Sequence, residues 1–265
     1  MITNTDLHTW LDEAKARPPD SDGPGLNLPD TWVSPQYRYF CMAIPKAACT
    51  KIKLVLQQLE GLPWPPDPLT IHYRATPGLR FVPSLADFTT AEGVAILTSN
   101  EWLRFAFVRN PYARLFSAYK SQVMDLTSPY VSFREAIRRH AGYPTPPGGV
   151  LGRVGFADFV HYVATQPDDQ RDGHWKSQTG TLHRDRIHYD FIGRVERFAQ
   201  DFTQVLQRFD ASPPLLASLT QRVNTTAKLP LAVAYSKELA DLVYTIYRDD
   251  FVAFDYARDS WMVMD

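Results

Sequence analysis

The amino-acid sequence predicts an α/β fold in which a mostly parallel central sheet is flanked by helices. Residues 37–60 and 103–124 each contain an apolar strand, a short loop and a segment whose apolar residues recur at helical spacing. Strands that alternate with helices along a chain form parallel sheets with helices on both faces. The length of 265 residues suffices for one large domain of this class.

The remaining elements follow from local signals, in chain order. Residues 1–36 predict a helix at 3–16 and an irregular arm rich in proline, and residues 37–265 form the main domain. Apolar runs predict strands at 37–44, 94–98, 103–108 and 189–192. Amphipathic spacing predicts further helices at 50–60, 110–124, 155–164, 195–209 and 236–251. The segment 140–152 is dense in proline and glycine, which predicts a loop.

The composition limits the compartment and the partners. A hydrophobic content of 45% and a charged content of 22% are typical of a soluble globular protein. The formal net charge of -1 gives no general attraction for nucleic acid or an anionic membrane, so any basic site is local. We find neither a signal peptide nor an apolar run of the ~20 residues that span a bilayer. Two cysteines, Cys41 and Cys49, favour reduced thiols, and we expect a cytoplasmic protein.

The loop between the first strand and its helix is a candidate phosphate site. Backbone N–H groups at a helix N-terminus, together with the helix dipole, favour an anion. Lys46 adds a positive charge and Thr50 a hydroxyl donor, while Ala47 and Ala48 are small enough to let a ligand approach the backbone. The nucleotide triphosphate pattern is absent because both of its glycines are missing. The alternative is an ordinary turn with an exposed lysine.

A second candidate anion site follows the strand at 103–108. Arg109 comes where this strand ends, and ligands of open α/β sheets bind at the carboxyl edge. A guanidinium there suits bidentate phosphate binding, and Ser117, two turns into the next helix, offers a hydroxyl donor. The alternative is a structural arginine.

Together these segments resemble the carbohydrate sulfotransferases. Phe107 to Tyr119 is similar to their 3′-phosphate motif, F-V-R-x-P-x-x-R-L-x-S-A-Y, at every fixed position. Ile44 to Thr50 is similar to their 5′-phosphosulfate loop. The resemblance runs in order over about residues 37–256 and includes His174-Trp175, Tyr189 to Gly193 and Val243 to Phe251. The group that sulfates chondroitin, dermatan and the HNK-1 glycan is the most similar. Its Golgi members carry a membrane anchor and extra cysteines, so the resemblance here is to a soluble, bacterial-type member.

This resemblance implies a P-loop-like sulfotransferase fold and in-line transfer of a sulfonate group. The donor would be 3′-phosphoadenosine-5′-phosphosulfate (PAPS), the acceptor a hydroxyl group of a carbohydrate or glycolipid, and no metal would be needed. Lys46 would stabilise the leaving oxygen. The residues implied to bind the two ends of PAPS are Ala47, Ala48, Cys49, Thr50 and Lys51 for the 5′-phosphate, and Arg109 and Ser117 for the 3′-phosphate. Those implied to close over the nucleotide are Asn224, Thr225, Thr226 and Lys228, whose alternative is a solvated connection.

The acceptor hydroxyl needs a general base, and two histidines are candidates. His72 precedes the Arg109 strand where the family places a histidine, and a neutral imidazole suits the task. Its alternative is a surface loop histidine. His174 is the second candidate, with a structural role beside Trp175 as its alternative.

Rival functions are a sulfotransferase acting on a small natural product, a nucleotide-dependent kinase and a non-catalytic binding module. A kinase needs an acidic magnesium ligand near the loop, and none is evident. The presence of Lys46, Arg109 and Ser117 together disfavours a binding module. A zinc site at His174, His183 and His188 is disfavoured by their loose spacing.

Overall fold

A computed structural model describes residues 3–17, 25–74, 76–125, 131–144, 152–220 and 230–263 of the chain. The chain divides into two units. The first comprises residues 1–108 with 178–225, and the second comprises residues 109–177 with 226–265. The division into an arm at 1–36 and a domain at 37–265 stays a prediction.

The described part of the first unit contains a four-stranded mixed sheet with the order β1-β2-β3-β4. Its strands are β1 Thr31–Ser34, β2 Tyr39–Met42, β3 Leu103–Val108 and β4 Phe191–Arg194. The pair β1–β2 is antiparallel, whereas β2–β3 and β3–β4 are parallel. The predicted α/β class with a mostly parallel sheet is therefore confirmed.

Helices cover both faces of this sheet, as its burial requires. The helices of the first unit are α1 Asn4–Ala16, α2 Cys49–Leu59, α3 Thr90–Thr98, α7 Gln178–Leu182, α8 Phe198–Gln207 and α9 Pro213–Ser218. On one face of the sheet, Phe105 and Phe107 of β3 pack in a cluster with residues of α2 and α8. On the opposite face, Phe40 of β2 and Ala106 of β3 are equally buried. A strand buried on both faces reads as a continuous apolar run, which is why β2 and β3 were predictable.

Two residues of the segment Tyr189 to Gly193 contact side chains of the neighbouring strand β3. Asp190 accepts hydrogen bonds from Arg104 Nε at 3.0 Å and from Arg104 Nη2 at 3.1 Å. A Cβ atom on Gly193 would overlap the ring of Phe107, which is packed against Phe202. This part of the family-like sequence therefore has a packing role.

Two predictions for the first unit were wrong. Val94 to Thr98 was expected as a strand, but it forms the second half of α3, because Thr89 and Glu92 make a capping box that starts a helix. The arm was expected to be irregular, but its residues at β1 pair with β2, with Trp32 opposite Cys41. The flanking prolines hid this short edge strand.

The described part of the second unit is helical. Its helices are α4 Pro111–Ala118, a π-helix Tyr119–Met124, α5 Val131–His140, α6 Phe156–Ala164, α10 Leu231–Ala234, α11 Lys237–Ile246 and α12 Arg248–Ala253. Asn110 caps α4 as predicted, since its side chain accepts from the N–H groups of Tyr112 and Ala113. The single helix predicted at 236–251 is instead interrupted at Tyr247.

None of the helices in the described part of the chain has the length and apolar composition that crossing a membrane requires.

Candidate active site

The loop after β2 turns the chain from a buried strand into α2. Ala43, Ile44 and Ala47 are fully buried, and the Ala47 N–H donates to the Ile44 carbonyl at 3.1 Å. Lys46 and Ala48 are left-handed, with φ of 64° and 60°, whereas Ala47 between them is not. Alternation of this kind directs successive backbone N–H groups toward one spot and forms a concave anion site.

The N-terminus of α2 provides further donors to such an anion. Ala48, the N-cap residue, makes no side-chain cap, and the first N–H groups of a helix have no acceptor within the helix. The helix dipole adds partial positive charge there, Lys46 contributes a full charge, and Thr50 lies in the first turn. Left-handed residues other than glycine cost about 1 to 2 kcal/mol each, so the surrounding packing must impose this conformation.

Four side chains of the first unit, Asp30, Thr50, Lys53 and His72, form a hydrogen-bonded polar cluster. His72 ends a short 3₁₀ helix at Pro68–His72, and its Nε2 lies 2.8 Å from Thr50 Oγ1. The other ring nitrogen, Nδ1, lies 3.3 Å from Lys53 Nζ. Lys53 Nζ also donates to Asp30 Oδ1 at 3.1 Å. Thr50 and His72 were predicted from the sequence, whereas Lys53 and Asp30 were not. The spacing of three residues between Thr50 and Lys53 on one helix was the available signal for Lys53.

Lys51 has a different partner from the one its position suggested. Its Nζ donates to the Ser218 carbonyl at 2.8 Å, at the end of α9, and only 9% of the residue is exposed. Burial lowers the pKa of this amine. The predicted contact of Lys51 with a phosphate stays a prediction.

In the second unit, three polar residues lie in or directly before α4 and the π-helix that follows it. Arg109 directly follows β3 in the sequence, and Ser117 and Lys120 are three residues apart, which places them on one helical face. Burial, and then the charge of Arg109, lower the pKa of Lys120. Two cations that repel each other favour an anion beside them. Lys120 was not among the residues predicted from the sequence, although its spacing of three residues from Ser117 was a signal for it.

His174 forms a carboxylate–imidazole pair in the second unit. Its Nδ1 lies 2.7 Å from Asp172 Oδ1, which also accepts the His174 backbone N–H at 2.8 Å. A carboxylate can only accept, so His174 Nδ1 carries the proton in this contact. About 25% of the His174 side chain is exposed. Such a pair is an oriented base.

The segment that carries His174 is held by buried side chains of the second unit. Arg114, only 2% exposed, donates to the carbonyls of Lys176 at 2.6 Å and Gly173 at 3.1 Å. The Tyr247 hydroxyl donates to the Trp175 carbonyl at 2.5 Å. The second arginine of the F-V-R-x-P-x-x-R motif therefore positions the His174 segment.

Asn224, Thr225, Thr226 and Lys228 lie outside the described residues, as do residues 145–151 of the predicted loop. Over the described ranges, no group of three or more His, Cys, Asp or Glu side chains is arranged to hold a metal ion.

Comparison with known proteins assigns a family. A family model described as the Sulfotransferase family matches residues 29–257. Carbohydrate sulfotransferase 11 of Mus musculus is 28% identical in an alignment of 235 positions that covers 84% of this chain and 65% of that protein. Carbohydrate sulfotransferase 14 of Mus musculus is 32% identical in an alignment of 184 positions that covers 68% of this chain and 46% of that protein. Carbohydrate sulfotransferase 12 of Mus musculus is 25% identical in an alignment of 274 positions that covers 92% of this chain and 64% of that protein.

The chain spans at most about two thirds of the length of these relatives, with 65%, 46% and 64% covered. No solved structure matches the chain.

Replacing Arg114 with methionine should loosen the His174 segment, because two partly buried carbonyl groups lose their donor. We expect Arg114→Met to lower the free energy of unfolding by about 2 to 4 kcal/mol, measured by chemical denaturation. Amide hydrogen exchange at residues 172–177 should accelerate more than elsewhere. The control Arg258→Met removes an exposed ion pair with Asp241 and should change stability far less. Equal effects of the two variants would contradict the role assigned to Arg114.

Proposed function

The chain belongs to the sulfotransferase family, and from that premise we propose that it transfers the sulfonate group of PAPS to a hydroxyl group of a carbohydrate or glycolipid. The observation that carries the proposal is the loop at 45–50, where left-handed Lys46 and Ala48 lead into the uncapped N-terminus of α2. Fixed N–H donors of this kind suit a phosphate group. The carbohydrate acceptor is supported by the names of the relatives.

The first-unit residues are proposed to hold the 5′-phosphosulfate end of PAPS. PAPS supplies an activated sulfonate, whose transfer breaks the sulfur–oxygen bond to the 5′-phosphate and releases adenosine 3′,5′-bisphosphate. Backbone N–H groups from Ala48 to Thr50, with the Thr50 hydroxyl, would bind the 5′-phosphate, with help from Lys51. The Ala47 N–H donates to the Ile44 carbonyl, so the small Ala47 would contribute only by letting the phosphate approach the backbone. Lys46 would stabilise charge on the leaving oxygen, which is the kind of fixed electrostatic stabilisation that contributes most in group transfer.

The second-unit residues Arg109 and Ser117 are proposed to bind a 3′-phosphate group. Arg109 and Ser117 were selected from the sequence, and the mutual repulsion of Arg109 and Lys120 supports adding Lys120. A 3′-phosphate distinguishes PAPS from common adenine nucleotides, so these residues would give the donor specificity. We propose the closing role for Asn224, Thr225, Thr226 and Lys228 on the resemblance alone.

For the general base, the contacts favour His174 over His72. Asp172 accepts from His174 Nδ1, which orients the imidazole ring and would stabilise the charge that the ring gains when it takes the acceptor proton. Both ring nitrogens of His72 have partners in the polar cluster, Lys53 and Thr50. We therefore propose His174 as the base, and His72 as a catalytic-site residue that acts on Thr50.

We further propose that the enzyme is a soluble, bacterial-type member that works in the cytoplasm. The support is the presence of Cys41 and Cys49 as free thiols, as expected in a reducing compartment.

Lys46 should be required for transfer more than for nucleotide binding. We expect Lys46→Met to lower kcat by about 10²- to 10³-fold, with Lys46→Arg intermediate because it keeps the charge. The assay follows labelled sulfate from PAPS to a panel of sugars, glycolipids and phenols.

A thermal shift separates this function from its rivals. Adenosine 3′,5′-bisphosphate should stabilise the wild-type protein and ATP should not. Equal stabilisation by ATP would favour a phosphotransferase, and transfer to phenols without transfer to sugars would favour a small-molecule acceptor.

The two histidines should differ in the pH dependence of turnover. If His174 is the base, His174→Gln lowers kcat by about 10²- to 10⁴-fold and removes the acidic limb of the pH–rate profile. His72→Gln should keep that limb and mainly raise the KM for PAPS. The reverse pattern would assign the base to His72.

Lys120 should contribute to recognition of the 3′-phosphate. We expect Lys120→Met to weaken adenosine 3′,5′-bisphosphate about 10-fold in calorimetry and leave adenosine 5′-monophosphate unchanged, because only the first ligand carries the anion beside Arg109. The exposed Lys237 serves as a control, since Lys237→Met should alter neither affinity. Equal weakening of both nucleotides by Lys120→Met would contradict the assignment.

A further inference from the structure

The polar cluster of the first unit contains an unusually buried cation. Lys53 lies on the face of α2 that packs toward the sheet, and only 1% of its side chain is exposed. The Trp32 ring lies 5.9 Å from Lys53 Nζ and helps to exclude water. Burying an ammonium group costs several kcal/mol unless good partners offset the loss of hydration. An apolar residue at position 53 would avoid that cost, so the presence of a buried ammonium group there suggests that its charge has a function.

The partners of Lys53 determine how it can act on its neighbours. An ammonium group has three donors and no acceptor. Asp30 Oδ1 takes one donor at 3.1 Å, and His72 Nδ1, at 3.3 Å, takes another. His72 Nδ1 must therefore be the unprotonated nitrogen, because a proton there would face the ammonium group. The neutral ring then carries its proton on Nε2.

The tautomer of His72 determines in turn what the Thr50 hydroxyl does. With a proton on Nε2, His72 donates to Thr50 Oγ1 across the observed 2.8 Å. Thr50 then uses a lone pair for His72, and its own proton is available to a different acceptor. Thr50 lies in the first turn of α2, where the backbone N–H groups gather for an anion.

We propose that Asp30 and Lys53 are positioning residues, which fix the tautomer of His72 and thereby direct the Thr50 proton to the 5′-phosphate of the nucleotide. This inference rests on the proposed function for the identity of the anion. Consecutive hydrogen bonds that run in one direction polarise each other, so the ammonium group strengthens the final donor.

Asp30 links this cluster to the loop itself. Its Oδ2 accepts from Asn27 Nδ2 at 2.8 Å, which fixes the carboxylate. Its backbone carbonyl accepts from the Ala43 N–H at 2.9 Å, just before the loop at 45–48. The residue that neutralises Lys53 therefore also holds the chain at the entrance of the anion-binding loop.

The tautomer can be measured without any nucleotide. Long-range proton–nitrogen NMR correlations of the imidazole rings distinguish the two tautomers, and the His72 signals are those lost in His72→Gln. We expect the Nε2–H form in the wild-type protein at neutral pH, and a mixture of forms in Lys53→Met and Asp30→Asn. A protonated Nδ1 in the wild-type protein, or an unchanged tautomer in both variants, would overturn the proposal.

Nucleotide affinity provides the second readout. Calorimetry should show that Lys53→Met, Asp30→Asn and Thr50→Val each weaken adenosine 3′,5′-bisphosphate by about 3- to 10-fold. Lys53→Met combined with Thr50→Val should be no weaker than Thr50→Val alone, since both act through one hydroxyl. Thr50→Ser should keep most of the affinity because it keeps that hydroxyl.

A matched control separates positioning from stability. Asp190→Asn also removes a carboxylate from a buried cation of the first unit, Arg104, and should lower stability without changing nucleotide affinity. Additive losses for Lys53 and Thr50, or an equal loss in Asp190→Asn, would overturn the proposal. If the wild-type protein does not bind adenosine 3′,5′-bisphosphate, the proposed function fails and this role of Thr50 fails with it. Binding with the wrong tautomer defeats only the positioning role.

Discussion

The burial of basic side chains is the constraint on which the rest of the structure depends. A buried cation must be paired, because the interior does not replace its hydration. In the first unit, Arg104 is paired with Asp190 beside β4, and Lys53 with Asp30 and His72. In the second unit, the Arg114 guanidinium donates hydrogen bonds to the carbonyls of Gly173 and Lys176, on either side of His174. Each pairing fixes a segment that carries a candidate functional side chain or a strand of the sheet.

Packing around the loop at 45–48 explains how a segment without glycine adopts two left-handed conformations. Left-handed Lys46 and Ala48 are unfavourable by themselves, and glycine would adopt the conformation at lower cost. The buried Ala47, the fully buried β2 and the hydrogen bond from Ala43 to Asp30 determine the course of the chain on either side. The conformation is therefore imposed by packing, and Lys46 keeps a side chain with a positive charge at a position where glycine would offer none.

Sequence patterns were sufficient where one physical signal dominated. The apolar runs of β2 and β3 are buried on both faces, and the Asn110 cap with Pro111 starts α4 as expected. Sequence patterns gave a wrong prediction where a local capping signal and an apolar composition favoured different structures. The apolar run at 94–98 was taken for a strand, although the capping box at Thr89 begins a helix there. The edge strand β1 was missed because its pairing with β2 is a tertiary interaction.

The sequence by itself determined the fold class and the family resemblance, and it predicted the residues of two candidate anion sites, because these depend on periodicity and on local spacing. Only the tertiary structure decided what the individual side chains do within each unit. It placed Lys51 on the Ser218 carbonyl, Arg114 under the His174 segment, and Lys53 against His72. Those contacts join residues far apart in the chain, and hydrogen-bond partners at such separations are set by packing, about which local sequence carries no information.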